Sequence, residues 1–155
     1  MLKILIFILS LGPAKIVNAQ LYSKGNFVTD LSQGIVWLRC SLGQRWEPEN
    51  ERCKGDVVRL NFDEIDQAIV QANNQLGGNW RLPTRKELEN VVCNECGPPK
   101  IDSSSFPNTV SEPYWTSDVN WIAPRSRWSV NFMTGQIYGR FFPHQQLAVR
   151  LVEDK

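Results

Sequence analysis

Four cysteines, a single histidine and two clusters of carboxylates are the side chains of this 155-residue sequence whose types and spacing suit chemistry. Cys93 and Cys96 enclose Asn94 and Glu95 in a C-x-x-C. A redox motif of that spacing opens a helix directly after a strand, where the helix dipole lowers the pKa of the first thiol. This one instead follows a helical stretch and runs into Gly97-Pro98-Pro99, so a structural disulfide is the expected chemistry. Cys40 and Cys53 bracket the polar stretch from Ser41 to Arg52. Four cysteines allow three connectivities, which sequence alone does not separate. The pairing we expect is Cys40–Cys53 with Cys93–Cys96, because each closes a local loop, in an oxidising compartment. A closed zinc site needs four ligands and His144 is the only histidine, so no metal is expected.

The carboxylates do not read as an acid/base pair. Glu47, Glu49 and Glu51 lie in a polar loop, and Asp63, Glu64 and Asp66 lie where a helix begins, a place in which acids complement the helix dipole. Ser103-Ser104-Ser105 has no histidine near it in sequence, and a catalytic triad would rest on His144 alone. The expectation is a non-enzymatic protein with no cofactor.

A binding role has more support. From Val119 to Val152 there is no Asp or Glu, yet Arg125, Arg127, Arg140 and Arg150 fall there beside Trp121, Trp128, Tyr138 and His144. Arginine forks pair bidentately with sulfate, phosphate or carboxylate, and aromatic faces stack on sugar rings or guanidinium planes. The candidate ligand-binding residues are therefore Trp121, Arg125, Arg127, Arg140 and His144. Arg127 is expected on the outward face of a strand, with Trp121 and Arg125 in the loop before it.

Positioning these groups requires a scaffold. Lys3, the apolar run Ile4 to Leu11 and the small residues Val17 and Ala19 around Asn18 read as a secretory signal peptide over residues 1–19, cut before Gln20. Gly12, Pro13 and Lys15 end the run too early for a membrane span. Loss of that segment takes Lys3 and Lys15 from the 17 basic residues and nothing from the 16 acidic ones, leaving a formal charge of −1. No nucleic-acid partner and no stable membrane insertion are expected. Residues 20–155 suffice for a single domain with a real core.

Within that domain Phe27 to Asp30 and Ile35 to Arg39 read as two strands joined by a Ser32-Gln33-Gly34 turn. Asn61 and Glu64 form a capping box ahead of Phe62, Ile65, Ala68, Ile69, Ala72 and Leu76, an amphipathic helix stopped at Gly77-Gly78. Trp80 and Leu82 alternate as in a half-buried strand. Pro83 then leads to Thr84, which caps a short second helix with Glu87 over about Arg85 to Val92. Late in the chain Arg127 to Phe132 alternates strictly, so that Trp128, Val130 and Phe132 face the core while Arg127, Ser129 and Asn131 face out. Thr134-Gly135 turns this strand into Gln136 to Phe141, and Ala148 to Val152 is a final strand. The fold class is α+β, with two helices packed on antiparallel strands and stabilised by disulfides.

The ordered set Gly34-Ile35-Val36-Trp37-x-x-Cys40, Trp80-Arg81-Leu82-Pro83-Thr84-x-x-Glu87-Leu88, Phe106-Pro107, Tyr114-Trp115-Thr116-Ser117, Trp128-x-Val130-x-Phe132-x-x-Gly135 and Val149-Arg150-Leu151-Val152 resembles the DUF1566 family, also called the Lcl C-terminal domain family after a collagen-like adhesin. The resemblance covers nearly all of the chain after the signal segment. It implies a C-type-lectin-like fold related to that of the formylglycine-generating enzymes, and a bacterial surface, pilus-associated or periplasmic setting. In the adhesin it is tied to sulfated glycans and self-association. It also puts Arg81 and Arg150 inside fold motifs, hence in structural roles.

This sequence departs from the relatives in ways that narrow the function. Glu47-Pro48-Glu49-Asn50 only approaches the calcium-ligating triplets of C-type lectins, and their Trp-Asn-Asp is missing, so the oxygen shell for a hard cation is incomplete. No cysteine follows Cys96, which excludes formylglycine-generating oxidase chemistry. No collagen-like repeat is present. The expected function is a secreted or envelope-associated recognition module, adhesin-like, for an anionic glycan or a bacterial surface or pilus protein, with oligomerisation possible in principle. The competing reading is a structural component of a pilus or envelope assembly with no small ligand.

Overall fold

The computed structural model describes residues 21–155. The signal peptide expected over residues 1–19 lies outside the described residues. The chain builds β1 (Leu21–Lys24), β2 (Phe27–Asp30), β3 (Ile35–Leu38), β4 (Arg45–Glu47), β5 (Arg52–Lys54) and β6 (Arg59–Leu60), then α1 (Phe62–Leu76) and α2 (Arg85–Asn90). It ends with β7 (Pro113–Val119), β8 (Arg127–Asn131), β9 (Gln136–Phe141), β10 (Leu147–Ala148) and β11 (Val152–Asp154). This is the expected α+β class, two helices on largely antiparallel sheets.

Both helices start as the sequence dictates. The Asn61 side chain accepts the Glu64 backbone N–H at 3.0 Å while the Glu64 carboxylate accepts the Asn61 backbone N–H at 2.8 Å. Thr84 and Glu87 do the same at 3.2 and 2.7 Å. α1 stops at Gly77, whose φ of +70° a side-chain-bearing residue adopts only at a cost. α2 ends at Asn90, two residues short of the expected Val92, which instead bridges to Ile101.

One sheet runs β1-β2-β3-β11 and the other β6-β10-β7-β8-β9, with β4-β5 a separate hairpin. All pairings are antiparallel except β10 with β7. The motif residue Arg81 ties the segment before α2 to the C-terminal strand, its N–H donating to the Val152 carbonyl at 2.8 Å and its carbonyl accepting from Val152 at 3.0 Å. Both expected disulfides form, Cys40–Cys53 tying the segment after β3 to β5 and Cys93–Cys96 after α2.

The strand expected over Ala148 to Val152 is divided. Ala148 belongs to the second sheet and Val152 to the first, so the chain crosses between them through Val149, Arg150 and Leu151. Arg150 sits at that crossing with no exposure. Its guanidinium donates to the carbonyls of Leu38 and Arg39, to Ser41 Oγ at 3.2 Å and to Thr109 Oγ1 at 2.8 Å, and it lies 4.8 Å from the centre of the Phe106 ring. Burial pushes it below the ordinary arginine value, yet arginine stays charged at any physiological pH. One buried cation thus holds the β3 end, the Thr109 loop and the crossing together, the structural role expected of it.

Tyr114, Trp115 and Thr116 of β7 are all fully buried, because this sheet is covered on both faces. Tyr114 pairs with Val130 in register and joins the core of Leu88, Phe106 and Phe132. Trp115 pairs with Ser129 and joins the second core, edge-on to Phe62 at 5.0 Å and to Phe141 at 6.1 Å. The expected outward face of β8 is therefore covered. Ser129 is fully buried and donates to the Tyr138 carbonyl at 3.2 Å. Trp128, expected in the core, is only half-buried, with the Arg85 guanidinium 4.9 Å from its ring centre.

Candidate functional site

Four of the five sequence-selected ligand residues stand at one end of the β7-β8-β9 sheet, and the fifth lies in the turn that leaves it. Val119 pairs with Arg127 and Arg127 with Phe141, so the end of β7, the start of β8 and the end of β9 coincide. The loop joining β7 to β8 carries Trp121 and Arg125, both exposed. On β9, Gly139 and Arg140 oppose the single residue Trp128 between the pairs Ser129 with Tyr138 and Arg127 with Phe141, a β-bulge that leaves Arg140 exposed. His144 follows in the turn after β9, exposed and stacked on Phe142 at 5.7 Å between ring centres.

Asn120 fixes the loop. It is buried, its amide donates to the Gly139 carbonyl at 2.9 Å, and its side-chain oxygen accepts the backbone N–H groups of Ile122 at 3.1 Å and Ala123 at 3.3 Å. Ser126 accepts from the Asn120 N–H at 3.1 Å and donates to the Ala123 carbonyl at 2.8 Å, closing the loop base. Gly139 is required beside it, since a Cβ there would lie 2.6 Å from the Asn120 amide nitrogen and 2.8 Å from the Trp128 ring. With the base pinned, Trp121 and Ile122 project outward at 80% and 71% exposure.

The arginines are not equivalent. Among the described residues, Arg125, Arg127 and Arg140 form no ion pair. Arg127 differs from the expected free outward cation: it is half-buried, its guanidinium carbon is 5.1 Å from the Phe62 ring centre, and its Nε is buried without a partner. The cause is Phe62, delivered to this face by the start of α1, which covers what an isolated hairpin would expose. Acids border this end but are engaged. Asp118 accepts the Arg85 backbone N–H, and Glu64 closes the α1 capping box. No hydrogen bond or stacking contact joins any two of Trp121, Arg125, Arg127, Arg140 and His144. They share an end of the sheet rather than a single pocket.

A cavity of about 840 Å³ lies elsewhere, between α1 and the loop closed by Cys40–Cys53. Leu42, Leu60 and Ala72 give it apolar surface, while Gln67, Gln71 and Gln75 present exposed amides along α1. Those amides have no hydrogen-bond partner among the described residues. Each can donate and accept, which suits an uncharged polar ligand. Its charged lining is limited to Arg45 and the engaged Glu64, so it offers little to a polyanion.

The sequence profile of the Lcl C-terminal domain family matches residues 26–153, nearly the whole of the described chain. The chain belongs to the Lcl C-terminal domain family. No curated protein matches it. In this Lcl C-terminal domain the signature segment Trp80 to Leu88 is scaffold: Trp80 and Leu82 are buried, and Arg81 pairs with Glu87. No helix among the described residues is long and apolar enough to cross a membrane. Two formed disulfides accord with a non-cytoplasmic setting. Sequence reasoning missed the amide-lined cavity of this Lcl C-terminal domain. Its signal was the four-residue spacing of Gln67, Gln71 and Gln75 beside the apolar stripe.

Proposed function

We propose that this Lcl C-terminal domain is an extracytoplasmic, non-enzymatic recognition module whose basic end meets an anionic surface partner, foremost an anionic glycan. One observation carries the reading: Arg125 and Arg140 stand exposed at one end of the sheet, beside the half-buried Arg127 and the exposed indole of Trp121, and none of the three has an acidic partner among the described residues. Unpaired guanidinium groups are available to sulfate or carboxylate, and an indole face is available to a sugar ring. A hydrolytic alternative has less behind it. Ser104 and Ser105 donate their hydroxyls to Asp102, and His144 stacks on Phe142.

The test is chromatography on heparin-agarose at about 50 mM salt, with elution by rising salt, since screening weakens exposed charge pairs. Retention that weakens on Arg125→Ala with Arg140→Ala is expected. Passage of the unmodified protein straight through at low salt sinks the reading. The competing structural role predicts co-purification with an envelope assembly and no retention.

A further inference from the structure

We infer that Trp121 and Ile122 form a prong that docks this end of the domain onto the headgroup layer of an anionic lipid bilayer. This rests on the reading that the basic end meets an anionic surface, and names a partner that the reading leaves open.

Three observations converge. Among the described residues, the two largest exposures of large apolar side chains belong to adjacent residues, 80% for Trp121 and 71% for Ile122, with Val119 46% exposed beside them. The loop that carries them is held by Asn120 and the Ser126 closure, so the pair is projected by a fixed base. The same loop carries Arg125 and the same end of the sheet carries Arg140, both exposed and unpaired among the described residues, with Arg127 on Phe62.

Physical chemistry selects the occupant. A stable protein interface covers about 800 Å² on each partner, far more than two projecting side chains supply. A bilayer interface accepts a small convex apolar tip at a depth of about 5 to 10 Å, and tryptophan favours the boundary between headgroups and acyl chains. Arginines at the same end then meet lipid phosphates, each strengthening binding to an anionic surface by about fivefold. The contact is peripheral and reversible: the prong enters the interface and no segment spans it.

The experiment is co-sedimentation of the full chain with vesicles of phosphatidylglycerol and phosphatidylcholine, beside vesicles of phosphatidylcholine alone and the heparin column. Trp121→Ser with Ile122→Ser sits on exposed positions, so near-ultraviolet circular dichroism should report an intact fold. Binding to the mixed vesicles is expected, with a loss of more than about tenfold in the double variant from the apolar burial removed. Ile122→Ser alone, at an exposed position outside the proposed glycan contacts, should weaken vesicle binding severalfold and leave heparin retention unchanged. Heparin retention without vesicle binding overturns the docking and leaves the anionic-glycan reading standing. Equal loss of vesicle and heparin binding in Ile122→Ser also overturns it, since the substitution would then be disturbing the loop as a whole rather than a lipid contact. Vesicle binding that the double variant retains in full overturns it as well. Failure on both supports removes the docking and the reading beneath it.

Discussion

Arg81 and Glu87 form a two-pronged ion pair, Nη1 to Oε2 at 2.9 Å and Nη2 to Oε1 at 2.8 Å, and the same carboxylate closes the Thr84 capping box at 2.7 Å. Arg81 also reaches Asp154 at 2.6 Å, so one side chain links the helix start to the last strand. Glu87→Ala removes the pair and the reciprocal cap together. Urea unfolding should show a loss of about 2 kcal/mol, with Glu87→Gln losing less. Equal stability of both variants with the parent would refute a structural role for this pair.

Acid sensitivity follows from the same group. Burial pushes the Glu87 carboxyl up, but the Arg81 guanidinium and the Thr84 donors outweigh it and hold it below the usual range, and Arg81 holds Asp154 low as well. A lowered native pKa gives stability that is complete above the unfolded value of about 4.3 for Glu and 3.9 for Asp, and lost as pH falls through the native value. Urea midpoints should therefore hold from pH 7 to about 5 and decline below 4. In Arg81→Ala stability at pH 7 should be lower and the decline below pH 4 shallower, because only the Thr84 donors then oppose burial of Glu87 and the native values of Glu87 and Asp154 move back toward the unfolded ones. A midpoint that does not change between pH 5 and 3 contradicts this.

Arg150→Met should be among the most damaging single changes. It leaves the buried carbonyls of Leu38 and Arg39 and the hydroxyls of Ser41 and Thr109 without their donor, at about 1 to 3 kcal/mol for each group left unsatisfied. Arg150→Lys should not rescue it, since an ammonium lacks the planar fork. Thermal unfolding decides between these outcomes, and wild-type stability of the lysine variant contradicts the account.

The disulfides should differ in worth. Cys40–Cys53 spans 13 residues of sequence and Cys93–Cys96 only 3, and closing the longer loop removes more freedom from the unfolded chain. Replacing the first pair by serine should cost about 3 kcal/mol and the second about 2. The reverse order, measured by urea unfolding, would show that native-state effects dominate.

Gln67→Ala with Gln71→Ala should leave heparin retention unchanged, because the cavity beside α1 has Arg45 as its single cation. Both positions are exposed and helical, so stability should hold or rise slightly. Loss of heparin binding in this variant would move the anionic site from the sheet end to the cavity.

Helix starts, turn positions and local disulfides were readable because each depends on neighbours in sequence. Asn61 finds Glu64 three residues on, Thr84 finds Glu87 at the same spacing, and the β8-β9 turn rests on Thr134-Gly135. The candidate site was readable only in part. Arg125 and Arg140 are exposed as their type suggests, Trp121 is exposed against its type, and their shared end follows from hairpin pairing. Arg127 was not readable as a half-buried residue, because Phe62 lies 65 positions earlier in the chain and nothing local announces its arrival.

By itself the sequence determined the fold class, the family, both capping boxes and the charge-segregated stretch from Val119 to Val152, all of which rest on short spacings or composition. Tertiary structure decided which strand faces are covered, where Arg150 crosses between sheets, and that α1 leaves an amide-lined cavity beside it. Hydrophobic periodicity states that a face is apolar or polar. What covers a face depends on which distant element packs there, and that is settled only when the whole chain closes its core.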